Sequence, residues 1–168
     1  MRVVGVKKPR KKLVEVVVKE KEEKELIVVV DGREGGEFEV AIRVIHVGEG
    51  GQARVRFRGV VAKGARLKAE GMIKIEKGGQ EVESFLDMRG LILDDESMIE
   101  INPQLEIEAN EVRASHAASV SQIDEEILEF LGSMGINRER GKKMVVNGFL
   151  LANELKKVDI IIKTKDSN

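Results

Sequence analysis

The chemistry open to this sequence is narrowed first by what it lacks. There is no cysteine, hence no thiolate ligand, thiol nucleophile or disulfide, and there are only two histidines, His46 and His116. His116 lies among small residues in VRASHAASV, 112–120. An imidazole there can ligate iron or zinc through one nitrogen while an acceptor holds the other, and Glu111 and Asp124 are candidate acceptors by proximity in the sequence. One histidine makes no metal site. The chain supplies no thiolate, so any metal held by His116 needs ligands from another chain or a small thiol. The plainer role for the same side chain is a hydrogen bond that fixes a strand-to-helix corner. His46, in RVIHVGEG, reads as a partly exposed residue at the end of a strand.

Other chemistry is weaker still. Ser115 and His116 are adjacent, and along a strand neighbours point to opposite faces, so they do not form a nucleophile–base pair. The glycines of GEGG and KGGQ read as turns, because no phosphate-binding Gly-x-x-x-x-Gly-Lys-Ser/Thr is present and GKKMVV lacks the hydroxyl. Asp94–Glu96 read as a solvated turn, while Glu106 and Glu108 share a strand face, where they repel one another or hold a cation. Acid–base catalysis requires two carboxyls with separated pKa values in one cleft. No catalytic and no cofactor-binding residue is assigned, and an enzyme with an unrecognised carboxylate site stands as the outside alternative.

The elements that must position these residues fall into four zones. LVEVVVKEKEEKELIVVV, 13–30, has two β-branched runs about a charged middle and reads as a hairpin or as two edges of a solenoid. Residues 37–107 hold six β-like segments punctuated by GEGG, KGA, KGGQ and DDES. Arg54, Arg56 and Arg58 alternate with Val55 and Phe57, giving one wet and one buried face. Gly50, Gly64 and Gly78 recur at a 14-residue spacing, which favours a solenoid over a sandwich or barrel. Two short helices follow. SQIDEEILEFLGSMG carries the stripe Ile123, Ile127, Leu128, Leu131 and Met134, with Ser121 or Asp124 to cap it and Gly135 to end it. The next begins at Asn137 and carries Met144, Val145, Phe149 and Leu155. VDIIIKTKDSN reads as a last strand and tail. The expected organisation is a single domain, 1–168, with a β-rich core at 13–112, helices within 121–157 and the tail at 158–168.

The 168 residues are enough for one real core, and 42% apolar content predicts folding rather than disorder. Lys and Arg number 29 against 30 Asp and Glu, which leaves no overall pull toward nucleic acid or an anionic membrane. The first twelve residues do hold six Lys or Arg and no acid, but without aromatics to stack bases a single-strand-binding role is weak. No apolar run approaches the ~20 residues of a membrane span, and the N-terminus lacks a signal-peptide apolar core. Neither a nucleic-acid nor a membrane partner is expected, and the cytoplasm is the expected location.

PQLEIEANEVRASHAASVSQIDEEILEFLGSMGI, with MVVNGF after it, resembles the SufB/SufD family of iron–sulfur cluster assembly proteins. The matches to that family's pattern are Pro103, Leu105, Glu106 and Ile107, then Asn110, Glu111 and Val112. Ser115, His116 and Ala118 follow, then Gln122–Asp124, Gly135, Ile136, Gly148 and Phe149. The resemblance is dense over 103–136 and looser from 40 to 155. It implies a mainly β fold, a right-handed parallel β-helix core with two short C-terminal helices. It also implies a non-enzymatic scaffold subunit, whose partners are a SufC-like ABC ATPase docked on the C-terminal helices and a second β core, either a copy of itself or a SufB-like subunit. Ile127, Leu131, Met144 and Phe149 are the expected docking residues. No cofactor is expected on this chain alone. A transient iron–sulfur cluster in the complex would find His116 at a shared interface, but Ala114 stands where the family pattern has cysteine. Ala117 replaces its glycine, Ser119 its threonine and Met134 its arginine. The alternative is a structural β-solenoid that has lost the cluster chemistry.

Overall fold

The computed structural model describes residues 2–8 and 10–150. Nine strands follow one another from the start of the chain: β1 Arg2–Val6, β2 Arg10–Val18, β3 Glu23–Gly32, β4 Glu37–His46, β5 Gln52–Val61, β6 Arg66–Ile75, β7 Val82–Ile92, β8 Met98–Ile107 and β9 Val112–Gln122. Odd strands make one sheet, in the order β1-β3-β5-β7-β9, and even strands a second, β2-β4-β6-β8. Every pairing is parallel. The chain therefore winds as a flattened coil, a parallel β-solenoid in which each turn lays one strand on each sheet. Glu23 pairs with Gln52 and Glu37 with Arg66, so one of these turns takes 29 residues. The 14-residue glycine spacing is half of that, one strand and one corner. Gly50, at φ +65°, and Gly64, at φ +69°, sit in successive corners where the left-handed backbone suits a residue without Cβ.

Period-two alternation builds the interior. In β4, Phe38, Val40, Ile42, Val44 and His46 are buried while the residues between them are not. Parallel register stacks like on like: Leu26, Val55 and Leu86 form one inward column, and Val28, Phe57 and Met88 the next. The inner wall is filled to contact. A Cβ at Gly71 would lie 2.5 Å from Met88 Sδ and 2.6 Å from Leu86 Cδ2.

The unbroken run LIVVV departs from alternation for a reason outside the coil. Leu26, Val28 and Val30 face inward, while Ile27 and Val29 face outward and are buried with Val3, Val60 and Leu91 beneath Val146 and Leu150. Those last two belong to the end of a helical hairpin, α1 Glu125–Ser133 and α2 Arg138–Phe149. Asp124 caps α1, accepting from Glu126 N–H at 2.9 Å, and Asn137 caps α2, accepting from Arg140 N–H at 2.9 Å. Gly135, at φ +80°, turns the chain between them. The end of α2 thus packs on the outer face of the odd-numbered sheet, and among the described residues nothing covers the end of the coil.

Several expectations shift in detail. β2 and β3 lie in different sheets, which removes the hairpin reading of 13–30. Strands run from Arg2 to Gln122, beyond the expected core limits on both sides. VRASHAASV is not a corner but the body of β9. The two segments SMIEI and LEIEA are one strand, β8, which carries Pro103 as an edge strand can. The expected last strand and tail at 158–168, and Leu155, lie outside the described residues. None of the described helices is long and apolar enough to cross a membrane.

Candidate interaction site at the open end of the coil

β8 and β9 form the last turn, and among the described residues nothing pairs with their outer edges. Their inward rows continue the columns of the core. Ala114 stacks on Ser84, His116 on Leu86, Ala118 on Met88 and Val120 on Gly90. Opposite them, Leu105 stacks on Ile73 and Ile107 on Ile75. One turn earlier the equivalent side chains are sealed, whereas here Leu105, Ile107 and Val120 are each about two-fifths exposed: 39%, 43% and 43%. Among the described residues the end of the coil is a hydrophobic core cut open, with the eleven-residue edge of β9 unpaired.

His116 stands in the middle of this end, exposed, at the end of the register column Arg2, Leu26, Val55 and Leu86. Ser115 is on the other face of the strand, as period two requires. Among the described residues no hydrogen bond joins His116 to Glu111 or Asp124; the Asp124 carboxylate serves as the α1 cap. The Ala114 methyl is half-buried against the core, at the position where a thiol would face the same opening.

The other histidine is the larger surprise. His46 is fully buried rather than partly exposed. Its Nε2 lies 3.0 Å from Ser84 Oγ across the interior, and Nδ1 has no hydrogen-bond partner among the described residues. Burial pulls its pKa down to about 4, so the ring is neutral near pH 7. Ser84 is the register partner of Ala114, one strand below the opening, while His46 lies two strands below Ile107, with Ile75 between them; the two imidazoles do not converge. Among the described residues no group of three or more His, Asp or Glu side chains is arranged to hold a metal ion.

Among the described residues, the carboxylates whose pKa shift is resolved do not separate into an acid and a base. Glu22, Asp31, Asp87 and Asp94 are all shifted the same way, downward. Asp87 illustrates why: burial pushes its carboxyl up, but bonds from Arg58, at 2.5 Å, and Arg89, at 3.0 Å, outweigh that and hold it ionised. A general acid needs a carboxyl shifted upward.

The expected docking residues divide. Ile127 and Met144 are exposed, while Leu131 and Phe149 are half-buried, Leu131 close against Gly141 and Phe149 against the cluster beneath α2. Phe130, 63% exposed, and Met134 extend the Ile127 ridge on α1. Phe130 was findable, since it lies three residues after Ile127 and four before Met134 on one helix face.

The sequence matches the family described as SUF system FeS cluster assembly, SufBD core domain, over residues 3–149. The chain belongs to the SufBD core family. It is 34% identical over 124 residues to an iron–sulfur cluster assembly SufBD family protein of Methanothermobacter thermautotrophicus, covering 73% of this chain and 29% of that one. It is 33% identical over 129 residues to the iron–sulfur cluster assembly protein SufD of Bacillus subtilis, covering 76% and 30%. A SufBD family protein of Archaeoglobus fulgidus is 30% identical over 122 residues, covering 73% and 32%. This SufBD core chain thus spans about a third of the length of these relatives. The match begins within β1 and ends at the last residue of α2, so it takes in the whole coil and the clasping hairpin.

Proposed function

We propose that this SufBD core chain is a cytoplasmic, non-enzymatic scaffold subunit for iron–sulfur cluster assembly, which docks a second β-coil on its open end. The observation that carries the reading is the uncovered last turn, where apolar inward rows and a free strand edge surround His116. Extended-strand addition satisfies the edge by main-chain hydrogen bonds, and the inward rows bury apolar area. His116 supplies one ligand for a cluster held as cargo at that interface, with thiolates coming from the partner or a small thiol. The ridge of Ile127, Phe130, Met134 and Met144, flanked by Leu131 and Phe149, receives a SufC-like ATPase on the helical hairpin.

Calorimetry with the cognate ATPase tests the helix surface. Wild type should bind, and Ile127→Asp with Met144→Asp should weaken binding by about 2–4 kcal/mol if these are central anchors; absence of binding by the wild type removes the ATPase from the reading. Anaerobic iron and sulfide reconstitution of the assembled complex tests the site. His116→Ala should hold less cluster, and equal loading would remove His116 as a ligand. Equal loading would also favour the second reading, a structural solenoid that has lost the chemistry, for which the Ala114 methyl is the specific observation.

A further inference from the structure

Among the described residues four strand edges are unpaired: β1 and β9 in one sheet, β2 and β8 in the other. β1 and β9 carry no acid, and β2 sets Arg10, Lys11 and Lys12 against Glu15. The β8 edge alone is acidic. β8 and the residue that follows it place Glu100, Glu106 and Glu108 on the outer face. Cations one strand back do not neutralise this row. Lys74 bonds Glu106 at 2.6 Å and lies 3.8 Å from Glu108, one ammonium for two carboxylates, and Lys68 is bonded to Glu70 at 3.1 Å. Across the sheet the register partners Lys11, Glu39, Lys68 and Glu100 alternate in sign, and the ladder stops on its negative member. This edge fits a strand that is apolar on one face and cationic on the other at the spacing of the glutamates.

Residues 157–165, KVDIIIKTK, lie beyond the described part of this same chain and have that pattern. Glu106 follows Glu100 by six residues and Glu108 by two more; Lys163 follows Lys157 by six and Lys165 by two more. Laid parallel to β8 with Lys157 opposite Glu100, the segment sets three lysines against the three glutamates. The same register puts Val158, Ile160, Ile162 and Thr164 at the ends of the inward columns of Ile101, Pro103, Leu105 and Ile107. A slip of two residues brings Leu155 or Asp159 opposite Glu100. Reversed, the spacings no longer coincide, and an antiparallel strand matches at most two of the three. We infer that residues 157–165 add to the β8 edge of their own chain as a parallel tenth strand of the coil. Seven residues lead from Leu150 to Lys157, a reach of about 23–25 Å. Leu150 packs with Leu91 near the end of β7, and crossing from there to the edge of the other sheet takes about 20 Å, twice the ~10 Å between packed layers. Met98 and Glu108 donate back to Ala65 and Ile75, so the odd-numbered residues of β8 turn their N–H groups to the free edge. Pro103 withholds one, and Ile99, Ile101, Leu105 and Ile107 supply the others. These bonds and the apolar rows give adhesion, and the charge pairs set the register. The inference stands apart from the docking reading and leaves the β9 edge and His116 open.

The chain has no cysteine, so an introduced pair reports contact cleanly. Gln104→Cys with Ile161→Cys places thiols on register partners and leaves every charge in place. Mild oxidation of a mixture of isotopically light and heavy protein should give a disulfide within single chains. Ala117→Cys with Ile161→Cys, which puts the first thiol on the outer face of β9, should not bridge. Amide exchange followed by NMR reads the same contact in the cysteine-free protein. The N–H groups of Ile101, Leu105 and Ile107 should be protected in the wild type and exchange at least about tenfold faster in K157E/K163E/K165E. Adding E100K/E106K/E108K to that variant should restore the protection. A disulfide joining light to heavy chains overturns the inference by placing the segment on a second copy. Absence of the disulfide, or rapid exchange of these three amides in the wild type, overturns it by leaving the edge free. Protection that survives K157E/K163E/K165E overturns the register, since three opposed carboxylate pairs would then cost nothing.

Discussion

His46 is where the side-chain chemistry and the fold meet most sharply. A fully buried imidazole with one bonded nitrogen is neutral in the folded chain and gains a proton on unfolding in mild acid. Its folded pKa of about 4 lies below the ordinary 6.5. Stability is therefore complete above pH 6.5 and falls as the pH drops toward 4, where the unfolded chain binds a proton that the folded one refuses; below that the loss ends. The fall from 6.5 to about 4 corresponds to about 3.4 kcal/mol at most. Urea unfolding at pH 7 and at pH about 4.5 should show wild type losing about 2–3 kcal/mol more than His46→Leu between the two conditions. Equal losses would mean the ring is protonated inside the coil. The sequence hid this residue because RVIHV places histidine at a strand end, where exposure is the usual outcome. The partner that holds it, Ser84, lies 38 residues away. Arg58 was misread for a similar reason. Alternation correctly put it on the outer face, but only the register reveals that it is buried there with Asp87.

At the scale of elements, legibility followed periodicity. The strands from β4 to β8 and both helix caps could be read from alternation, turn residues and cap spacing, each of which is local. The merging of two segments through Pro103, and the membership of VRASHAASV in the last strand, required knowing that a parallel neighbour exists to pair with. Glycines on the coil separate into kinds that the sequence alone does not distinguish. Gly71→Ala forces a methyl onto Met88 and Leu86 and should cost about 1–3 kcal/mol. Gly5→Ala, on β1, meets nothing within 4 Å and should leave stability within about 0.5 kcal/mol. Denaturant midpoints for the two variants check the contrast, and equal effects would show that the inner wall yields to an added methyl.

For the whole molecule, parallel register makes each turn a template for the next, and the first and last turns are where templating stops. The solenoid was chosen from the sequence by glycine spacing and family resemblance, because alternation is shared with sandwiches and barrels. The helical hairpin's resting place was not legible: its apolar stripe has no address until the outer-facing Ile27 and Val29 are seen as a landing strip. α2 joins residues from β1, β3, β5 and β7 in one cluster. Val146→Asp should release the helix, raising amide exchange along α2 and at Val3 and Val29 while sparing the inward columns. An unchanged exchange pattern would show that the helix is held by something other than this cluster.

That clasp has a mechanical consequence. Within each sheet the hydrogen bonds run along the axis of the coil, while the covalent chain runs around it. Tension along the axis would open the turns one at a time, like a zipper loaded at its end, and little force is needed when bonds fail in series. The C-terminal end of α2, packed in one cluster with residues of four successive odd strands, ties the stack lengthwise. It converts that peeling load into shear spread over a row of side chains. A subunit gripped at its open end by one partner and at its helices by another would carry the strain between them through Val146 and Leu150, the rivets of the strap.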